Sequence, residues 1–200
     1  MKKIVYILIV CALCSCNQKQ KKLPFLGNPI VANKDTLYPK IKEFSFLNQN
    51  NLIVNNRTFE NKIYIADFIF LSCPTICPKM HVELKSVYET YRNNPNVLFL
   101  SHTIDPEHDT VERLKEHTTN NNLDSNKWHF VTGNRDSIYD LATKSYFGTA
   151  YKDAKEFGGY VHSGGFLLID KNRFIRGVYD GTNPEETKRL IMDVKSLLSE

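Results

Sequence analysis

A mixed α/β sheet flanked by helices, entered through an N-terminal β-hairpin, is the fold class this sequence predicts. Two observations carry it. "KIYIADFIF" (62–70) and "NVLFLSHT" (96–103) are almost unbroken apolar runs rich in β-branched and aromatic residues, the pattern of strands buried on both faces. Between and after such runs, apolar residues recur at helical spacing, and the chain closes with a hairpin and an amphipathic stretch. The element order is ββ, then βαβα, then βα, then ββα. Strand–helix alternation followed by a hairpin and a closing helix gives helices on both faces of the sheet.

In chain order, residues 17–40 are polar and punctuated by Pro24, Gly27, Pro29 and Pro39, which predicts a tether with little regular structure. "FSFLNQNNLIVNN" (44–56) predicts a hairpin turning at Asn50-Asn51, because Asn tolerates the left-handed region. Residues 62–70 form a central strand, and the apolar spacing of Met80, Leu84, Val87, Tyr88 and Tyr91 predicts a helix after it. Residues 96–103 form the next strand. "DTVERLKEHT" follows as a helix with Asp109 as its cap. "WHFVTG" is a third strand, and 137–145 a short helix opened by Asp136 or Ser137. "GGFLLIDKNRFIRGVY" turns at Lys171-Asn172, and residues 184–198, after Asn183, form the terminal helix.

The N-terminus, "MKKIVYILIVCALCSCNQKQKK", has a positive start and an apolar run from Ile4 to Leu13, too short to span a bilayer as a mature helix. It reads as an export signal. "LCSC" then resembles a bacterial lipobox, with Cys16 as the first mature residue and the site of lipidation. Ordinary secretion with cleavage elsewhere, or an uncleaved anchor, are the alternatives. The expected organisation is residues 1–15 as lipoprotein signal peptide, 16–40 as tether and 41–200 as one domain, lipid-anchored in the extracytoplasmic space of a bacterial cell envelope. Removing Lys2 and Lys3 takes the formal charge from +4 to +2, a balance that gives no argument for nucleic acid. Lys19, Lys21 and Lys22 lie beside the proposed lipid, where they would favour anionic headgroups or simply solvate the tether.

Of five cysteines, the signal would remove Cys11 and Cys14, and lipid would occupy Cys16. Cys73 and Cys77, in "LSCPTICPKM", remain as thiols in a compartment that oxidises close pairs. A disulfide closing so short a loop would constrain the unfolded chain little, so stability is a poor reason for the pair. Pro74 biases Cys73 toward extended backbone, and Pro78 suits the first helical position, making Cys77 the expected N-cap. Both sulfurs would then lie over a helix N-terminus at the end of a central strand. That environment stabilises thiolate and raises metal affinity. Three residues between the cysteines, against two in a thioredoxin-type pair, leave room for an ion. Two thiolates would hold Cu(I), and one added imidazole would suit both copper oxidation states. Zinc would ask for a fourth protein ligand, which the sequence does not offer convincingly.

Six histidines could supply the imidazole. His162, in "GGYVHSGGFLLID", stands in a glycine-flanked loop at a strand start. His81 follows Cys77 by one helical turn and could point back to it, or lie on an exposed helix face. His108 and His117 look like surface residues, while His102 and His129 fall in strands as hydrogen-bonded core residues. Spacing alone does not choose among them.

The residues as a set resemble the Sco/SenC family, copper-handling thioredoxin-like factors of cytochrome c oxidase assembly. The resemblance covers roughly residues 44–198. "FIFLSCPTICPKM" resembles the family's strand and C-P-x-x-C-P, and "HTIDPEHDTVERLKEH" its S-x-D-P-x-x-D-T-P-x-x-L-K segment. "WHFVTG" resembles its W-x-x-L-T-G strand, and "YVHSGGFLLID" carries its ligand histidine. The resemblance implies copper on Cys73, Cys77 and His162, with Asp105 in a supporting role near the site. Otherwise Asp105 is a helix-capping or turn acid before Pro106. The implied recipient is cytochrome c oxidase subunit II or another cuproprotein. Departures are His102 at a position often small or aliphatic, Val111 for the usual proline, Thr75 for a frequent aspartate, and Asn50, Asn51 and Asn61 at turn positions where glycine is common.

Two functions follow. As a copper metallochaperone, the chain would pass Cu(I) by ligand exchange to the dinuclear copper site of the oxidase, with no turnover chemistry. As a thiol–disulfide oxidoreductase, Cys73 and Cys77 would cycle through a reversible disulfide and act on the cysteines of a copper-site partner. A peroxiredoxin-like peroxidase is a weaker option, because no peroxidatic loop matches.

Overall fold

The computed structural model describes residues 22–32, 35–148, 150–152, 160–162 and 164–200. The hairpin expected at 44–56 is β3 (Ser45–Asn48) and β4 (Ile53–Asn55), following a small antiparallel pair, β1 (Ile30–Ala32) and β2 (Asp35–Leu37). Then come β5 (Ile63–Ile69), α1 (Cys77–Tyr91), β6 (Val97–Thr103), α2 (Val111–Asn120), β7 (Trp128–Thr132) and α3 (Arg135–Lys144). The chain continues through β8 (Ala150–Lys152), β9 (Tyr160–His162), β10 (Gly165–Ile169), β11 (Ile175–Asp180) and α4 (Pro184–Leu198). Seven strands join in the order β11-β10-β5-β6-β7-β3-β4. β5, β6 and β7 run parallel; the outer pairs on both sides are antiparallel. This is the thioredoxin-like mixed sheet.

The two-residue strand period divides the core between the faces. Tyr64, Ala66, Phe68, Leu98 and Leu100 pack with Ile138, Leu141 and Tyr146 around α3. Ile63, Ile65, Ile69, Val97 and Phe99 pack with Leu84, Val87 and Tyr88 of α1, Leu114 of α2, and Leu190 and Val194 of α4. Leu84 is fully buried, so Leu84→Ala would cost about 2–5 kcal/mol.

Several ends differ from expectation by one turn of logic. Thr110, not Asp109, caps α2 by accepting from Arg113 N–H, and Asn134 caps α3 by accepting from Ser137 N–H. Asp109 is drawn inward instead, because buried donors need it. Val111 occupies the first position of α2, a place where proline is equally suited. Asn51 and Asn61 both take φ 58°, the left-handed turn conformation expected of them. Asn183 caps α4, and Asp170 closes the β10–β11 turn by accepting from Asn172 and Phe174 N–H.

Within the segment expected to have little regular structure, the described residues are ordered against the domain. The buried Arg176 guanidinium donates to the carbonyls of Leu23 (2.6 Å) and Pro24 (3.1 Å) and pairs with Asp170 (3.1 Å) and Glu200 (2.8 Å). Phe25 lies over that guanidinium, and Leu26 N–H donates to Ile175 C=O. A buried cation demands acceptors, and this segment's backbone supplies two of them. The signal peptide and Cys16 lie outside the described residues.

Candidate metal and redox site

β5 ends in the middle of the sheet, and the cysteine loop leads from it into α1. Cys77 is the first residue of α1, one position inside the expected cap, because Ile76 already has helical backbone (φ −86°, ψ −34°). Ile76 makes no side-chain cap, and Pro78 brings no N–H, so the open helix end faces the loop. Cys73 is buried with its N–H donating to Phe70 C=O, and Cys77 is half-buried; no disulfide joins them.

The two sulfurs differ. Burial opposes ionisation of Cys73, but the backbone N–H groups of Thr75 and Cys77, then the Cys77 and Thr75 side chains, outweigh it and bring its pKa below the usual thiol value. Thr75 Oγ1 lies 3.6 Å from Cys73 Sγ. Thr75 thus sets a hydroxyl beside the sulfur. Cys77 goes the other way. Burial pushes its thiol up, and the neighbouring Cys73 and Asp67 charges add to that. The pair therefore holds one thiolate readily and resists a second.

The loop is braced from below and beside. Asp109 is fully buried, accepting from Thr103 Oγ1 (2.6 Å) and from Leu71 N–H (3.0 Å), two residues before Cys73. Arg113, on α2, donates to Ser72 Oγ (3.3 Å) and to His108 C=O (3.2 Å). Beneath the loop, Asp67 accepts from Ser101 Oγ (2.5 Å), which accepts from Trp128 Nε1 (2.8 Å). Burial raises the Asp67 pKa to about 7 against the opposing pull of the Ser101 hydrogen bond. The motifs that contain Asp109 and Thr75 do not give away what either touches, and Asp67 carries no motif signal at all. Asp67's only sequence mark is a lone acid in an apolar strand.

A cavity of about 280 Å³ opens beside the cysteines, lined by both of them and by Asp67, His81, His117 and Trp128. His117 is thus not a plain surface residue, and His81 does not lie on an exposed face. His81 stacks on Trp128, and His117 lies against Phe130 and His81. His102 is buried among Phe44, Phe46, Phe68 and Tyr146, as a core residue should be. Yet both its ring nitrogens lack hydrogen-bond partners, and burial lowers its pKa to about 3. His129 meets Asn48 Nδ2 at 3.4 Å, and His108 is exposed.

Asp105 does not line that cavity. Its carboxylate accepts from His108 Nδ1 (2.9 Å), and its C=O accepts from His108 and Asp109 N–H, so it organises the β6–α2 turn. His162 ends β9 on the backbone, and its side chain lies outside the described residues. Two residues on, Gly164 lies where a side-chain carbon would touch Ile76 and Met80, at and just inside the start of α1. Its C=O accepts from Gly181 N–H. The segment bearing His162 is therefore led to the cysteine helix. Among the described residues, no three His, Cys, Asp or Glu side chains are grouped to hold an ion.

The SCO1/SenC family matches residues 33–199. The SCO1 protein homolog of Bacillus subtilis is 29% identical over 191 residues, 94% of this chain and 92% of that protein. Among solved structures, a SCO1/SenC family lipoprotein from Bacillus anthracis has a TM-score of 0.73 at 25% identity, covering 86% of this chain and 99% of that one. BsSco, a member of the Sco family of cytochrome c oxidase assembly proteins, in which a disulfide switch is described, gives 0.70 at 27%, covering 88% and 98%. The copper-bound ScoI of Arabidopsis thaliana shares the fold, with a TM-score of 0.65 at 21% identity over 78% and 99%.

Proposed function

Because this chain belongs to the SCO1/SenC family, we propose that it carries copper in the cell envelope and delivers it to the dinuclear copper site of cytochrome c oxidase. Cu(I) is the cargo. Cys73 and Cys77 hold it as thiolates, His162 supplies the nitrogen, and the ion leaves by exchange onto the recipient's ligands. The observation that carries this reading is the cysteine pair at the open start of α1, with the chain just after His162 led to that same helix turn. Soft sulfur selects Cu(I), and an imidazole beside it accommodates Cu(II). The unequal thiols suit release, because the second sulfur is easily reprotonated as the ion departs. Support from relatives is of the same kind: BsSco belongs to an oxidase-assembly family, and the Arabidopsis fold carries copper. The test is redox-linked. Reduced protein should bind one tight Cu(I) at the pair, and protein with a verified Cys73–Cys77 disulfide should lose that binding; undiminished binding after oxidation excludes the dithiolate site.

The same asymmetry supports a second role, dithiol exchange. The Cys73 thiolate attacks a partner disulfide and forms a mixed disulfide, and the departing partner sulfur takes a proton. Cys77 then loses its proton and attacks Cys73 Sγ. The partner leaves as a dithiol, and two electrons have passed to it from the pair.

Anchoring completes the proposal. Cys16 carries lipid, as the Bacillus anthracis lipoprotein of the same family would suggest. Among the described residues, no helix is long and apolar enough to cross a membrane. Mass spectrometry of the mature N-terminus should find lipidated Cys16; a mature chain starting elsewhere refutes this.

A further inference from the structure

Two short strands ahead of the domain are left uncovered. Among the described residues, β1 and β2 pair only with each other, and Ile30, Val31 and Leu37 are 69%, 74% and 57% exposed. Ile30 stands directly opposite Leu37, so the two share one face of the hairpin. A lone two-stranded hairpin is marginally stable in water, and further packing is what secures one. Its base is fixed to the domain. Phe25, before β1, stacks on Tyr38, just after β2, at 5.5 Å, and meets Phe174 edge-on at 5.1 Å. Lys40 lies over the Phe174 ring. The hairpin is thus held at one end and bare along its strands. We propose that β1–β2 docks this domain onto an anionic lipid bilayer, with Ile30 and Leu37 entering the headgroup layer.

Charge separates along the chain in the same sense. Residues 17–42 carry six lysines and one acid, Asp35, a net +5. Residues 43–200 carry 18 basic and 21 acidic residues, a net −3. Lysines flanking apolar and aromatic side chains are the composition of a segment that lies in a membrane interface and prefers anionic lipid. The route of the chain agrees. Leu23 is fastened, its C=O accepting from Arg176 and its N–H donating to Glu200. On the reading that Cys16 carries lipid, Leu23 follows that lipid by seven positions, a reach of at most about 25 Å. Ile30 follows Leu23 by seven more. Between them Leu26 N–H donates to Ile175 C=O of β11, so the segment enters along that edge of the sheet. Ile53, as exposed as Ile30, starts β4 at the opposite edge. The lipid therefore brings the β1–β2 hairpin to the surface, and not the β3–β4 hairpin.

The proposal rests on the lipid at Cys16 for nearness alone, and one experiment reads the two separately. The full chain, matured in a bacterial host, is mixed with brominated-lipid vesicles of phosphatidylglycerol or of phosphatidylcholine. Flotation with the vesicles reads the anchor. Bromine quenching of an indole introduced by Ile30→Trp reads the hairpin, because Trp128, the only native tryptophan, is buried. The introduced indole should lose emission in phosphatidylglycerol vesicles, and less of it in phosphatidylcholine or at high salt. Ile53→Trp should keep its emission in both. In case Ile30→Trp disturbs the hairpin, hydrogen exchange of the wild-type chain should show the β1 and β2 amides slowed on phosphatidylglycerol vesicles relative to detergent micelles. A chain that floats with neither quenching nor slowed exchange would overturn the docking and leave the anchor standing. Equal quenching of Ile53→Trp would overturn it too, since no particular face would then meet the lipid. A chain that does not float refutes the anchor, and quenching by the added vesicles still decides the docking.

Discussion

Cys73 and Cys77 are four positions apart, yet their surroundings pull them in opposite directions. Backbone and hydroxyl donors from Thr75 and Cys77 favour the Cys73 thiolate, while burial and neighbouring negative charge keep Cys77 protonated. The proline-flanked pair is plain in the sequence; the asymmetry is not, because it comes from the burial of Cys77 and from the Thr75 and Cys77 donors around Cys73. His102 shows the opposite limit of legibility. Its place in a strand marked it as core, but partners for its nitrogens come from neighbouring chains of residues, and the neighbours prove to be aromatic rings. Its folded pKa, about 3, lies below the ordinary value near 6.5. The unfolded chain therefore takes up the proton first, and stability falls as pH drops from about 6.5 toward 3. His102→Leu should remove two unpaired buried nitrogens and this pH dependence. Urea unfolding should find the variant more stable by about 1–2 kcal/mol at pH 7, with the advantage widening at pH 4. An unchanged difference between the two pH values would contradict this account of His102.

At the scale of elements, the unit β5–loop–α1 carries the cysteine pair, and its bracing comes from the β6–α2 turn. Strands β5 and β6 were legible because a doubly buried strand leaves an unbroken apolar run. The pairs β1–β2 and β8–β9 were not, because three-residue strands leave too short a pattern. The role of Asp109 was hidden for a related reason. An acid before a helix has the local look of a cap, and only the fold shows Leu71 and Thr103 as its donors. Asp109→Ala should strand both donors at about 1–3 kcal/mol each. Thermal unfolding should show a lowered Tm, and hydrogen exchange should show the Leu71 amide losing protection beyond that of the sheet. Protection that falls only in step with global stability would mean that Asp109 does not pin the loop.

For the molecule as a whole, the Arg176 cluster binds residues 23 and 24 to the C-terminus, so the chain preceding the domain is fastened from Leu23 onward. If lipid sits on Cys16, only a short stretch is left to separate the domain from the membrane. The cysteine loop, at the carboxyl ends of the parallel strands, is where a sheet of this topology presents its reactive groups. The recipient and the third ligand are proposals that rest on a resemblance of ordered motifs, since no spacing rule singles out His162 from six histidines. The central claim is that copper sits on Cys73, Cys77 and His162. Cu(II) leans on nitrogen donors more than Cu(I) does, so the visible spectrum of the Cu(II) protein tests it most directly. Wild type should show a thiolate-to-copper charge-transfer band. His162→Ala should weaken or shift it while retaining Cu(I) and dithiol exchange, and the exposed His108→Ala should leave it unchanged. A Cu(II) band untouched by His162→Ala would contradict the account.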